Sequence, residues 1–314
     1  MKTKRILTLL LLVLFSLPGW AQETYRLSNA AAEAQITIEN NHLSGERFAL
    51  KGEEVFIETD AGFQVDLMWS HWRAPGKKNN GDNELKLRNQ DFTLKQAHND
   101  GQLLQLLFEG PGTLTAQIIY TLDAKSNYLR KQIHLADSTY GEHFLQRIAV
   151  TDARLKTHPD KVENKGGFGQ PIAFTLPSGS FFAGLEYPTA TNELKTGHSN
   201  HISAYQYFGK QIGKAPVASE TFVMALFPDK AIKHHFMEYV EQIAVTPARP
   251  YTLYNSWYDL RAADYPRPVP GEYVMNEENV FRIIDLIKEN MMDKHDIRLD
   301  AFVLDDGWDV YESD

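Results

Sequence analysis

The chain has 314 residues, no cysteine and a formal charge of −9. An acidic surface without a run of Lys and Arg repels a phosphate backbone, which argues against nucleic acid as a partner. The missing thiols exclude disulfides and a cysteine-linked lipid, so the core alone must hold the fold.

Residues 1–21 read as a cleavable export signal. Lys2, Lys4 and Arg5 precede a run at 6–17 rich in Leu, Ile, Val and Phe, which Pro18 and Gly19 break. Gly19-Trp20-Ala21 then places small residues where a signal peptidase cuts. The apolar run is shorter than the roughly 20 residues of a spanning helix. The expectation is a periplasmic or extracellular protein with no membrane anchor, starting near Gln22. Loss of the three cations takes the charge from −9 to −12.

Residues 22–247 read as a large antiparallel β-sandwich. Short segments with a period of two occur at 33–38, 63–69, 103–108, 113–121, 129–135, 144–150, 181–186 and 221–227. In the fourth of these, Leu114, Ala116, Ile118 and Tyr120 share one face. Asn99-Asp100-Gly101, Gly110-Pro111-Gly112 and Pro177-Ser178-Gly179 punctuate the series as turns. No long helical period, internal repeat or low-complexity tract is expected here.

The pattern changes at 248–314. A candidate strand at 251–257 is followed by a loop with Pro266, Pro268, Pro270 and Gly271. Asn276 is a helix cap, with Glu277 and Glu278 in the first turn, where the helix dipole favours negative charge. Val280, Ile284, Ile287 and Met291 recur at helical spacing, and Lys288 and Lys294 suit the helix end. The apolar run at 301–304 reads as a strand buried on both faces. Strand, helix and strand form a βαβ unit with parallel strands. One such unit leaves open edges, so it is expected to be the first part of an incomplete (β/α)8 barrel in a truncated chain.

Asp305-Asp306-Gly307-Trp308 follows that strand. In parallel α/β folds, ligand-binding groups sit at the C-terminal strand ends. Adjacent carboxylates are expected to raise each other's pKa. Sugar hydroxyls would offset that cost through charge-assisted hydrogen bonds, and Trp308 would wall a sugar ring. Gly307 permits a tight turn. Two other readings stand beside this one: an Asp-Asp-Gly turn capping a helix, and a Ca or Mg site.

Phe302-Val303-Leu304-Asp305-Asp306-Gly307-Trp308 resembles a phrase of glycoside hydrolase family 36, the α-galactosidase clan. Asn255-Ser256-Trp257 resembles that family's asparagine-tryptophan element on the first barrel strand. The likeness covers residues 251–314, and Phe182-Ala183-Gly184-Leu185-Glu186-Tyr187 adds a weaker one. That family carries a β-sandwich before its barrel. The resemblance implies an oligosaccharide substrate with terminal α-galactose, whose hydroxyls Asp305 and Asp306 would receive. Trp257 would line the subsite, with Trp308 a weaker candidate.

No cofactor or metal is implied. The resemblance places the nucleophile after the fourth barrel strand and the acid/base after the sixth, both beyond Asp314. The chain as given is therefore expected to be inactive. Residues 261–274 look like an insertion, which leaves the exact substrate open. α-N-Acetylgalactosaminidase or galactosyl transfer, and a non-catalytic carbohydrate-binding protein, are the alternatives.

Other residues read more plainly. Trp69 and Trp72, with His71 between them, are assigned to the core in preference to stacking on sugar, and His234-His235 to surface or packing, because a helical metal site needs i, i+4 spacing. His198 and His201 with Tyr205, Tyr207 and Phe208 read as a polar loop leading into an aromatic strand, in preference to a loop over an active site. No phosphate loop or Ser-His-Asp signature is present.

Overall fold

The computed structural model describes residues 22–69, 84–124, 126–138, 143–197, 200–247, 249–263 and 268–308. The leader, His71, Trp72 and His198 lie outside them. The chain divides into two compact units, one up to Gln242 and one from Ile243 onward.

The first unit begins with an antiparallel sheet of β1 (Gln22–Ser28), β2 (Ala32–Glu39), β3 (His42–Leu50) and β4 (Phe56–Thr59), in that order. On β2 the alternation is complete: Ala32, Ala34, Ile36 and Ile38 are buried and the residues between them are not. Asn40 and Asn41 both take positive φ, the backbone of a tight hairpin between β2 and β3.

The larger sheet contains β5 (Gln64–Trp69), β6 (Glu84–Arg88), β7 (Thr93–Asn99), β8 (Leu103–Glu109), β9 (Leu114–Leu122), β10 (Tyr128–Asp137) and β11 (His143–Arg154). It continues with β12 (Lys161–Phe168), β13 (Gln170–Leu176), β14 (Gly179–Leu185), β15 (Thr191–Lys195), β16 (His201–Gln211), the short β17 (Val217–Ala218) and β18 (Phe222–Phe227). Its order is β6-β5-β11-β16-β15-β12-β13-β14-β18-β10-β9-β8-β7, with β17 on β10. The two edge strands, β6 and β7, are consecutive in the chain and joined only by a 3₁₀ turn at Asn89–Asp91. So short a link brings the edges together, so the sheet is rolled. Its inner face and the four-stranded sheet share one core, which includes Ile36, Phe48, Phe63, Phe92, Phe108, Ile118, Ile148 and Phe174. Each such side chain contributes about 1.5–3 kcal/mol on burial.

Outside the larger sheet, helix α1 (Ile232–Ile243) covers part of the surface. Ile232, Phe236 and Tyr239 pack on Tyr128, Phe182 and Phe227 in a second cluster. Tyr239 also donates to Glu186, which receives Arg130 Nε at 3.1 Å. This helix corrects the expectation of an unbroken β region. Its apolar residues recur at helical spacing, but polar ones dilute the signal.

The second unit holds β19 (Leu253–Asn255), α2 (Glu277–Ile287) and β20 (Ala301–Val303). β19 and β20 are parallel, with Asn255 opposite Val303, as the βαβ reading requires. Asn276 caps α2, its side-chain oxygen accepting from Asn279 N–H at 2.9 Å. Two expectations are corrected. β19 stops at Asn255, and Trp257 stands in a 3₁₀ turn at Ser256–Tyr258. β20 is half-buried and Leu304 is exposed, because among the described residues β20 pairs only with β19.

Candidate functional site

The parallel pair is pinned first at its lower end. Asp300 N–H donates to Thr252 O at 2.7 Å, and Asp300 Oδ2 accepts from Thr252 N–H at 2.9 Å. Arg249 reaches Asp300 Oδ1 at 2.7 Å. Tyr254 and Phe302 stack beside one another, ring centres 4.4 Å apart. The two strands therefore reach their C-terminal ends in fixed register, and the candidate residues emerge there.

Asn255 ties both ends together. Its Oδ1 accepts from Trp257 N–H at 2.9 Å, and its Nδ2 donates to Asp305 Oδ2 at 2.6 Å. Ser256 Oγ accepts from Asp305 N–H at 2.8 Å, and Asp305 Oδ1 accepts from Asp306 N–H at 2.7 Å. Both carboxylate oxygens of Asp305 thus have a protein donor. The Asp306 N–H, then the Asn255 amide, hold the Asp305 carboxyl below its usual 3.8, and desolvation opposes them only in part. This reverses the expected elevation for Asp305: donors aimed at the carboxylate outweigh its desolvation.

Gly307 adopts a φ of +117°, and a Cβ there would meet Ala262 N at 2.6 Å. The turn after Asp306 therefore needs glycine for its conformation and for its close approach to the 261–274 segment. The described parts of that segment, 261–263 and 268–274, are stitched in place. Arg261 N–H donates to Tyr273 O at 2.8 Å, Met275 N–H donates to Arg261 O at 2.7 Å, and Asn279 Nδ2 donates to the carbonyls of Gly271 and Val274, both at 2.8 Å.

The structure thus joins three of the four candidate residues through one network: Trp257 by its backbone, Asp305 by its side chain and Asp306 by its N–H. The Trp257 ring is 40% exposed. Trp308 is 70% exposed, with no ring contact among the described residues, and follows the turn without entering the network. Ser256, fully buried, stands in the Asn255-Ser256-Trp257 phrase but carries no role in the sequence; its Oγ accepts a backbone N–H across strands, which no local pattern signals.

Chemically, an ionised carboxylate has about four lone-pair sites, so Asp305 retains capacity for a ligand's hydroxyls. Asp305 and Asp306 are adjacent on one turn, which suits holding one ligand from one side. Among the described residues no group of three or more His, Asp or Glu side chains is placed to hold a metal ion. His235 stacks on Phe227 at 4.0 Å and bonds Asp229 at 2.8 Å, which is packing.

No protein-family model and no curated protein matches the chain. Among the solved structures it resembles are family 36 α-galactosidases and an α-N-acetylgalactosaminidase. A family 36 α-galactosidase from Geobacillus stearothermophilus, bound to 1-deoxygalactonojirimycin, has a TM-score of 0.48 at 11% identity over 91% of this chain and 50% of its own. The α-galactosidase from Lactobacillus brevis gives 0.48 at 12% over 91% and 48%. The α-N-acetylgalactosaminidase from Bifidobacterium bifidum gives 0.48 at 10% over 84% and 49%. The chain spans about half the length of these proteins.

Proposed function

We propose that the second unit opens a (β/α)8 barrel belonging to an exported retaining α-galactosidase. Asp305 and Asp306 take hydroxyls of a terminal α-galactose, and the exposed Trp257 ring lines the same subsite. One observation carries this reading: Asn255 bridges Trp257 and Asp305 at the C-terminal ends of two parallel strands, where parallel α/β folds bind ligands. The family 36 phrase at 302–308 supports the sugar assignment, and the residues at 1–21 support export to the periplasm or beyond.

Retention requires two carboxyl groups about 5 Å apart on opposite sides of the scissile bond. Asp305 and Asp306, neighbours on one turn, do not provide that arrangement. The reacting pair therefore comes from other strands of the barrel. The test compares this chain with a longer polypeptide that carries further barrel strands, on chromogenic α-galactoside and α-N-acetylgalactosaminide. Activity in the longer polypeptide alone is expected, with the galactoside preferred. Hydrolysis by the 314-residue chain, or none by the longer one, overturns the proposal.

A further inference from the structure

The outer surface of the larger sheet is treated in two ways. α1 covers the part around β14 and β18. The six-strand stretch β6-β5-β11-β16-β15-β12 instead carries polar and aromatic side chains, while Leu145, Ile148, Ile202 and Ala204 on its opposite face enter the core. Strand register sets the outer pattern, because residues directly opposite one another point to the same side. One row runs Phe168, Thr191, Tyr205, Ala149, Gln64, Arg88 across all six strands. The next row runs Tyr207, Arg147, Asp66.

We infer that this face is a second carbohydrate site, a platform for a neutral glycan chain laid across the strands. Phe168 and Tyr207 are 70% and 68% exposed. They lie two strands apart, about 10 Å laterally, a span suited to a chain rather than to one hexose. Tyr205 stands at right angles to Tyr207, ring centres 5.7 Å apart, and Arg147 lies 4.9 Å over the ring of Tyr205. Below the rings, Arg147 Nε donates to Asp66 Oδ2 at 2.7 Å, Gln64 Nε2 donates to Asp66 Oδ1 at 2.7 Å, and Tyr205 O–H donates to Glu193 at 3.3 Å. These groups sit on strands, so their geometry is fixed before a ligand arrives.

The charges select the occupant. Asp66 pairs with Arg147, Glu193 with Lys195 at 3.4 Å, Glu84 with Lys86 at 3.6 Å, and Asp152 bonds His201 at 2.6 Å. Carboxylates matched in this way offer no anionic patch to a cation or a basic peptide. Phe168 and the Tyr205–Tyr207 pair stand apart above a polar floor, unlike the contiguous apolar patch of a protein interface. Rings for stacking over fixed donors and acceptors match a polyol. The proposal is independent of the galactosidase reading, which concerns the other unit.

The test is native affinity electrophoresis of the whole chain in gels containing β-mannan, xylan, β-glucan or polygalacturonate, none of which presents a terminal α-galactose. Retardation by at least one neutral polysaccharide is expected. Tyr207→Ala and Phe168→Ala should each weaken it by about tenfold, because each removes one stacking ring. Both positions are exposed, so both variants should keep the parent's melting temperature. Lys233→Ala, an exposed position on α1 away from this face, should bind as the parent does. Absence of retardation, retardation by polygalacturonate alone, or binding that survives both ring deletions overturns the inference. So does binding lost in Lys233→Ala.

Discussion

Lys131 and Glu46 form an ion pair sealed between the two sheets, Nζ to Oε1 at 2.7 Å, with side chains 0% and 2% exposed. Tyr120, itself buried, donates its hydroxyl to the same Glu46 oxygen at 2.6 Å. Desolvation, and then the adjacent Glu46 charge, push the Tyr120 phenol well above its ordinary pKa, so it remains a donor throughout the working range. Placing ions in the interior is expensive, and only their mutual satisfaction makes it tolerable.

Removing one partner should therefore cost far more than removing both. Lys131→Met or Glu46→Leu alone leaves an uncompensated buried charge, a loss of about 3–5 kcal/mol. The double variant should recover most of that. Urea denaturation with a double-mutant cycle measures the difference. Additive single effects would show that the pair is not coupled.

α1 offers a second check on the first unit. Phe182 lies under the helix, with ring centres 5.2 Å from Tyr239 and 5.3 Å from Phe236. Phe182→Ala should destabilise by about 3–5 kcal/mol as a cavity-forming change. Tyr239→Phe, which leaves Glu186 without that donor, should cost about 1–3 kcal/mol. Calorimetry of the two variants should preserve this ranking. A Tyr239→Phe melt equal to the parent's would show that the hydroxyl contributes nothing.

How much of this was legible in the sequence depends on how local the signal is. β9 announces itself because Leu114, Ala116, Ile118 and Tyr120 alternate within one strand. β3 escapes, since it depends on left-handed backbone at Asn40 and Asn41. β6 and β12 are too polar to stand out. α2 is legible from its Asn276 cap and apolar spacing, whereas Ile232, Phe236 and Tyr239 of α1 are interleaved with His and Glu. In the site, Asp305, Asp306 and Trp257 lie in short contiguous phrases. Ser256 acts through a contact 49 positions away in sequence. The row from Phe168 to Arg88 exists only once six strands have been put in register.

Gly307 tests whether the turn beyond Asp306 is necessary. A methyl group there meets backbone, Ala262 N at 2.6 Å and Arg261 C at 2.9 Å, and backbone yields less than the end of a flexible side chain. The φ of +117° is also unfavourable to any L side chain. Gly307→Ala should therefore increase amide exchange across 302–308 and 261–263. The first unit, which forms a separate compact body, should keep its protection. Unchanged exchange in both segments would show that the turn relaxes freely.

Asp305 gives the clearest electrostatic test. Its folded carboxyl lies below 3.8, held there by Asp306 N–H and the Asn255 amide. A depressed folded value means that these contacts stabilise the unit fully above the ordinary carboxylate range, and that their contribution fades as pH falls through the folded value. Carboxyl-carbon NMR titration should place the Asp305 midpoint below 3.8. Asn255→Ala removes one donor and should move the midpoint upward. Asp306→Asn keeps the backbone N–H, so the midpoint should stay low. If Asp305 in the parent titrates at or above the ordinary value, the network does not grip the carboxylate, and the proposed galactose site loses its fixed acceptor.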